Sequence, residues 1–235
     1  MLPNSCLPAN SICSAAAGIA GNVFALVLFM SPILTFRRIV RNQSTEQFSG
    51  SPYIYTLLNS LICLWYGLPL VSPGVIMVAT VNGVGVVFQA VYITIFIVYA
   101  SKARKLKMLG LSISVLVLFL VMVIISLQFF DSHSRQIFVG YLSVASLISM
   151  FASPLFIIKL VIKTRSVEYM PFYLSFSTFL TSLSFLAYGL FKADPFIYFP
   201  NGIGTILGII QLALYFYYKN VSTVHLREPL INSCA

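Results

Sequence analysis

Asn82-Gly83-Val84-Gly85 and Asn201-Gly202-Ile203-Gly204 are nearly the same four residues, 119 positions apart. That offset also carries Pro52 onto Pro171. An offset of 122 carries Ser31-Pro32 onto Ser153-Pro154, Ser44 and Glu46 onto Ser166 and Glu168, and Tyr66-Gly67-Leu68 onto Tyr188-Gly189-Leu190. Self-similarity at a sustained period marks a duplicated structural unit, and the two offsets differ by about one helical turn.

Composition fixes the solvent of that unit. Apolar residues make up 59% of the 235 positions and charged residues 8%, with a mean hydropathy of +0.96. So few charges cannot coat a water-soluble domain of this size. A helix crossing the hydrocarbon needs about 20 apolar residues, and polar punctuation divides the chain into seven such stretches, at 12–36, 50–69, 74–101, 108–129, 137–162, 171–191 and 195–219. The fold expected is an all-α membrane protein of seven transmembrane helices. A first three-helix repeat spans 12–101, a linker helix 108–129, a second repeat 137–219 and a short cytosolic tail 220–235. Three helices are an odd number, so a second copy inserts upside down unless one more helix restores its direction. The linker supplies that inversion and makes the repeats parallel. The first stretch is read as a retained helix and not a signal peptide, because no basic residue precedes it and Arg37, Arg38 and Arg41 follow it.

The formal net charge of +9 would point a soluble protein towards nucleic acid, but here the placement of the charges matters more. Arg37, Arg38, Arg41, Lys102, Arg104, Lys105, Lys107, Lys159, Lys163, Arg165, Lys219 and Arg227 fall on one side, and only Arg135 and Lys192 on the other. The positive-inside rule then puts the N-terminus outside the cytosol and the C-terminus within it. Cys6, Cys13, Cys63 and Cys234 are scattered and suit neither a metal site nor a disulfide framework. The sequons at Asn42 and Asn220 fall in cytosolic segments, so neither sugar nor lipid modification is expected.

Pro32 and Pro154 stand near the cytosolic ends of the first and fifth helices, and Pro52 and Pro171 near the starts of the second and sixth. A proline within a helix lacks its N–H and loosens the preceding turn, so the four suggest a cytosolic gate; Pro52 and Pro171 also read as ordinary first-turn prolines. Asn82 and Asn201 lie about two turns into the third and seventh helices, near the membrane centre. A carboxamide gives and receives hydrogen bonds, which suits a polyol, though it can equally bond a neighbouring helix, with glycine allowing close approach. Trp65, Tyr66, Phe185 and Tyr188 could offer a ring face to a sugar. The acids Glu46, Asp131, Glu168, Asp194 and Glu228 all map to loops or helix ends, and His133 and His225 lie outside the spans. Without a buried proton relay, passive transport is favoured over proton coupling.

This three-one-three plan, with paired prolines and Asn-Gly-x-Gly in each third helix, resembles the plant SWEET sugar facilitators over residues 12–220. Phe48-Ser49-Gly50-Ser51-Pro52-Tyr53, Trp65-Tyr66-Gly67, Met170-Pro171-Phe172 and Asp194-Pro195-Phe196 running up to Pro200-Asn201-Gly202 add to the likeness. The resemblance implies parallel repeats rocking about a site near the midplane. It implies that Asn82 and Asn201 bind sugar, that Cys63 and Phe185 complete the pocket, and that Leu28 and Met150 set its width. It further implies a cytosolic gate of Pro32, Pro52, Pro154 and Pro171, and a Tyr66–Asp194 hydrogen bond closing the other side, where Asp194 would otherwise be a helix N-cap. Phe185 stands where many plant members carry tryptophan, and Cys63 where a small hydroxyl residue is common.

The expected activity is bidirectional facilitated transport of glucose or a similar monosaccharide, without cofactor or bound metal. A seven-helix receptor is the rival from another class, against which the short loops and the duplication argue, and a small-solute channel remains open. A retinal protein needs a lysine in the last helix, which residues 195–218 lack, and no catalytic constellation for an enzyme can be assembled at one depth. Partners expected are membrane lipid, a small sugar and further copies of the chain in a homo-oligomer, with no nucleic acid. The resemblance to vacuolar-type members favours the vacuolar membrane over the plasma membrane.

Overall fold

A computed structural model describes the backbone of residues 6–167 and 170–232, and the side chains of residues 10–167 and 170–219. The described residues form α1 (Cys6–Met30), α2 (Ile33–Asn42), α3 (Ser51–Gly67), α4 (Ile76–Tyr99), α5 (Lys102–Gln128), α6 (Ser132–Met150), α7 (Ala152–Thr164), α8 (Phe172–Phe191) and α9 (Pro195–Asn232). Two spans that read as continuous in the sequence are broken. Pro32 has no N–H for the carbonyl of Leu28, and Pro154 none for that of Met150, so the first span divides into α1 and α2 and the fifth into α6 and α7. At the first break Ser31 N–H bonds the carbonyls of both Val27 and Leu28, and Tyr92 O–H donates to the carbonyl of Phe29 at 2.6 Å.

Counted across these breaks, the described residues form the seven helices of the three-one-three plan. Six apolar stretches are long enough to cross a bilayer. The remaining helix, α3, has 17 residues, which at about 1.5 Å each gives about 25 Å. Several helices outrun the expected boundaries. α5 begins at Lys102 instead of 108, α6 at Ser132 instead of 137, and α9 continues to Asn232, past the expected helix end at 219. Hydropathy marks the hydrocarbon alone, whereas lysine and arginine are good helix formers beyond it.

The helices close into a ring: α1 packs on α4, α4 on α3, α3 on α6, α6 on α9, α9 on α8, and α8 back on α1. In each half the third helix therefore lies between the first and the second, and the halves meet along α1–α8 and α3–α6. Gly85 and Gly204, the second glycines of the repeated phrase, allow the tight crossings within each half. A Cβ would stand 2.9 Å from Ser60 Oγ at Gly85 and 2.7 Å from Ser182 Oγ at Gly204. The linker α5 leans on α3, α4 and α6, burying Met108, Val115, Met122 and Ser126. It thus covers the first half and leaves α8 and α9 uncovered.

Candidate functional site

The ring encloses a cavity of about 320 Å³, within the range of small-molecule sites. Leu28, Cys63, Asn82, Met150, Phe185 and Asn201 all line it. The two amides are posed alike. Asn82 N–H donates to the carbonyl of Val78 at 2.8 Å, and Asn201 N–H to that of Ile197 at 2.8 Å. Each bond returns one turn along its own helix and uses one N–H. The amide oxygen and second N–H of each remain available to a ligand, one set from α4 and one from α9. The helix-to-helix bond weighed as the alternative role is not what these amides make.

Apolar walls complete the site, and residues related by the repeat line it in pairs: Ala25 and Leu147, Cys63 and Phe185, Val78 and Ile197. The Phe185 ring lies against α1 at Gly21, where a Cβ would come within 2.7 Å of it. Of the other aromatics considered as sugar platforms, Tyr66 reaches the wall, but Trp65 turns outward and donates its indole N–H to Ser126 Oγ of the linker at 3.1 Å. Tyr188 is buried in the packing core beside Val139, its hydroxyl directed at the carbonyl of Gly74 at 3.4 Å.

Beyond Tyr66, hydrogen bonds join the two halves at one end of the bundle. Tyr66 O–H donates to Asp194 Oδ2 at 2.6 Å, across 128 residues of chain, with both groups buried. Asp194 Oδ1 also accepts from Phe196 N–H at 3.0 Å, so the N-cap and the bond to Tyr66, posed as alternatives by the sequence, are made by the same carboxylate. Gln136 N–H donates to Ser72 Oγ at 3.0 Å, and that hydroxyl stands 3.5 Å from Asp194 Oδ2.

Sequence reasoning missed Ser72 and Gln136. A signal for the first was present, since the 122-residue offset lays Ser72-Pro73 on Asp194-Pro195. It also missed Asn59, which lines the cavity and accepts from Ser146 O–H at 2.7 Å, and its counterpart Thr181.

The opposite end carries the basic residues. Of the four prolines only Pro154 lines the cavity; Pro32 is half-buried at the α1–α2 break, and Pro52 and Pro171 are exposed. α2 and α7 pack chiefly within their own halves, and among the described residues no tyrosine–carboxylate bond like that at the other end joins the halves here. Among the acids, Glu46 lies in the α2–α3 loop, where Arg38 and Asn42 hold its carboxyl below its ordinary value. Asp131 caps α6, its carboxyl lowered chiefly by a hydrogen bond from Ser134. Glu168 and Cys234 lie outside the described residues, as do the side chains of Cys6, Asn220, His225, Arg227 and Glu228. Among the described residues no cluster of His, Cys, Asp or Glu suits a metal ion.

Comparison with known proteins agrees with this construction. A family model described as sugar efflux transporter for intercellular exchange matches residues 16–104 and again 137–223, once in each half. The bidirectional sugar transporter SWEET2 of Arabidopsis thaliana is 62% identical over 95% of both chains. SWEET1a of Sorghum bicolor is 52% identical over 86% of this chain and 76% of its own. A eukaryotic SWEET transporter of known structure superposes with a TM-score of 0.89 at 57% identity, covering 90% of this chain and 99% of its own. With the family model matched in both halves and the three-one-three helix plan shared throughout, the chain belongs to the SWEET family of sugar transporters.

Proposed function

We propose that this protein is a bidirectional sugar uniporter carrying glucose or a related monosaccharide down its gradient by alternating access. The observation that carries the reading is the pair of amides, Asn82 and Asn201, presented from opposite halves with identical backbone tethers into one cavity of about 320 Å³. A hexose ring offers hydroxyls all round its edge, and each amide can give one hydrogen bond and take another. Phe185 supplies a flat apolar face, while Leu28 and Met150, each four residues before the proline of its own half, adjust the width. Release must be as easy as binding, so few polar contacts are an advantage for a carrier. The Tyr66–Asp194 bond serves as the non-cytosolic gate, and Pro32, Pro52, Pro154 and Pro171 allow the cytosolic ends to swing. The positive-inside distribution supports a cytosolic basic end and an N-terminus on the other side. The sequence's resemblance to the vacuolar type of the family favours the vacuolar membrane, and the apolar outer face of α5 supports assembly with further copies of the chain.

The test is radiolabelled glucose uptake into proteoliposomes, with and without a proton uncoupler. Saturable, uncoupler-resistant uptake, accelerated by unlabelled glucose on the far side and reduced at least about tenfold by Asn82→Ala or Asn201→Ala, is expected of a carrier with this site. Uptake that does not saturate would favour a channel. Absence of glucose, fructose and sucrose transport by folded protein would overturn the reading.

A further inference from the structure

A second cavity, of about 740 Å³, lies between α2 and α4, on a different face of α4 from the central site. Its walls are Ile33 and Val40 of α2 and Val87, Val91 and Ile95 of α4, over a floor of Phe36 and Tyr92. Val87 and Val91 are at least half exposed, whereas Phe36 and Tyr92 are buried. The groove therefore opens away from the bundle, towards lipid. The break at Pro32 gives α2 its own course beside α4.

The mouth of this apolar groove is cationic. Arg37 and Arg41 line it, one turn apart on one face of α2. Among the described residues neither makes a hydrogen bond or an ion pair. Their neighbour Arg38 differs, since it holds Glu46 at 2.6 Å, and that carboxylate also accepts from Asn42. Two guanidinium groups at the level where the bilayer turns polar, with no acid facing them, match the oxygens of a phosphate. Along α4 the groove runs from Val87 to Ile95, about 12 Å at 1.5 Å per residue, close to the depth of one hydrocarbon leaflet at about 15 Å.

We infer that this groove binds an anionic glycerophospholipid, with one acyl chain laid along α4 and the phosphate held between Arg37 and Arg41. Length, polarity and charge all fit that molecule. A zwitterionic lipid fills the groove as well but brings its own cation to the two arginines.

The repeat provides an internal control. An offset of 122 places Lys159 and Lys163 where Arg37 and Arg41 stand, so the same charge can be removed from the other half. The experiment measures lipid retention on the purified full chain by native mass spectrometry, and thermal unfolding in detergent, with dioleoyl-phosphatidylglycerol or dioleoyl-phosphatidylcholine added at equal mole fraction. The wild type is expected to retain phosphatidylglycerol with about tenfold preference and to gain more thermal protection from it. Arg37→Gln with Arg41→Gln should abolish the preference, and Lys159→Gln with Lys163→Gln should leave it. Val91→Trp, an exposed position, should fill the groove and reduce retention with both arginines in place. This last variant decides the matter if the double arginine variant fails to fold. Equal retention of the two lipids, equal loss in both double variants, or full retention in Val91→Trp would overturn the site.

Discussion

Asp194 uses its two carboxylate oxygens for different ends: one starts α9 by accepting from Phe196 N–H, the other ties α9 to α3 through Tyr66. Tyr66→Phe separates them, since it keeps the cap and the ring but removes the bond between halves. A hydrogen bond to a charged group contributes about 1.5–3 kcal/mol, so the population open at that end should rise at least about tenfold. Cys63, buried in the cavity wall, reports it. With Cys6, Cys13 and Cys234 replaced by serine, labelling of Cys63 by a membrane-impermeant maleimide added on the Asp194 side should accelerate in Tyr66→Phe, and an unchanged rate would show that this bond does not hold the seal. The repeated glycines make a paired comparison. Gly204→Ala forces a Cβ to 2.7 Å from Ser182 Oγ, whereas at Gly202 the nearest atom is Leu186 Cδ1 at 3.7 Å. Thermal unfolding should fall by several degrees for the first and stay within about a degree for the second.

The elements differ in how firmly the two halves hold them. The α2–α3 loop is tied by Arg38 and Asn42 to Glu46, and Arg104 of α5 donates to the Glu46 carbonyl. Because the Glu46 carboxyl is held below its ordinary value of 4.5, its contribution is complete above that value and is lost as pH falls through the lowered one. Hydrogen exchange in residues 43–50 should therefore be no faster structurally at pH 5 than at pH 7. Extra opening should appear only below the ordinary value of 4.5, and Glu46→Gln should show it at every pH. At the α1–α2 break the freed carbonyl of Phe29 receives the Tyr92 hydroxyl; in the second half Gln211 occupies the position equivalent to Tyr92. The helix count and the duplication were legible in the sequence, because hydropathy and a sustained offset can be read locally; proline chemistry marked Pro32 and Pro154 as flexing points, but the breaks themselves fell in spans that read as continuous. The direction of the Trp65 indole was not, since it depends on Ser126 of a helix that lies outside both repeats. Nor was the part played by Gln136, whose partner Ser72 sits 64 positions earlier. Asn82 and Asn201 stood out as a pair through the offset, while Asn59 and Thr181 did not, because the two copies differ there in residue type.

At the scale of the whole molecule, Arg135 joins segments that the repeat does not relate. Its guanidinium donates to the carbonyls of Ser126 at 2.9 Å, Phe130 at 3.1 Å and Leu70 at 3.2 Å, so it ends the linker helix, fixes the α3–α4 turn and anchors the start of α6. A cation near carbonyls at a helix C-terminus is favourable, which explains a basic residue on the side with few others. Arg135→Gln should lower the unfolding temperature by several degrees without changing the affinity of the central site, as thermal scans and equilibrium sugar binding would report. The repeat-related pairs that line the cavity have a further consequence. At Ala25 and Leu147, Cys63 and Phe185, Val78 and Ile197, the first half always contributes the smaller side chain. At these three positions the two halves therefore offer a solute unlike walls, bulkier on the second half than on the first. Two equivalent amides then stand in unlike surroundings, so a chiral ring has one best way round in a frame that duplication alone would have left indifferent.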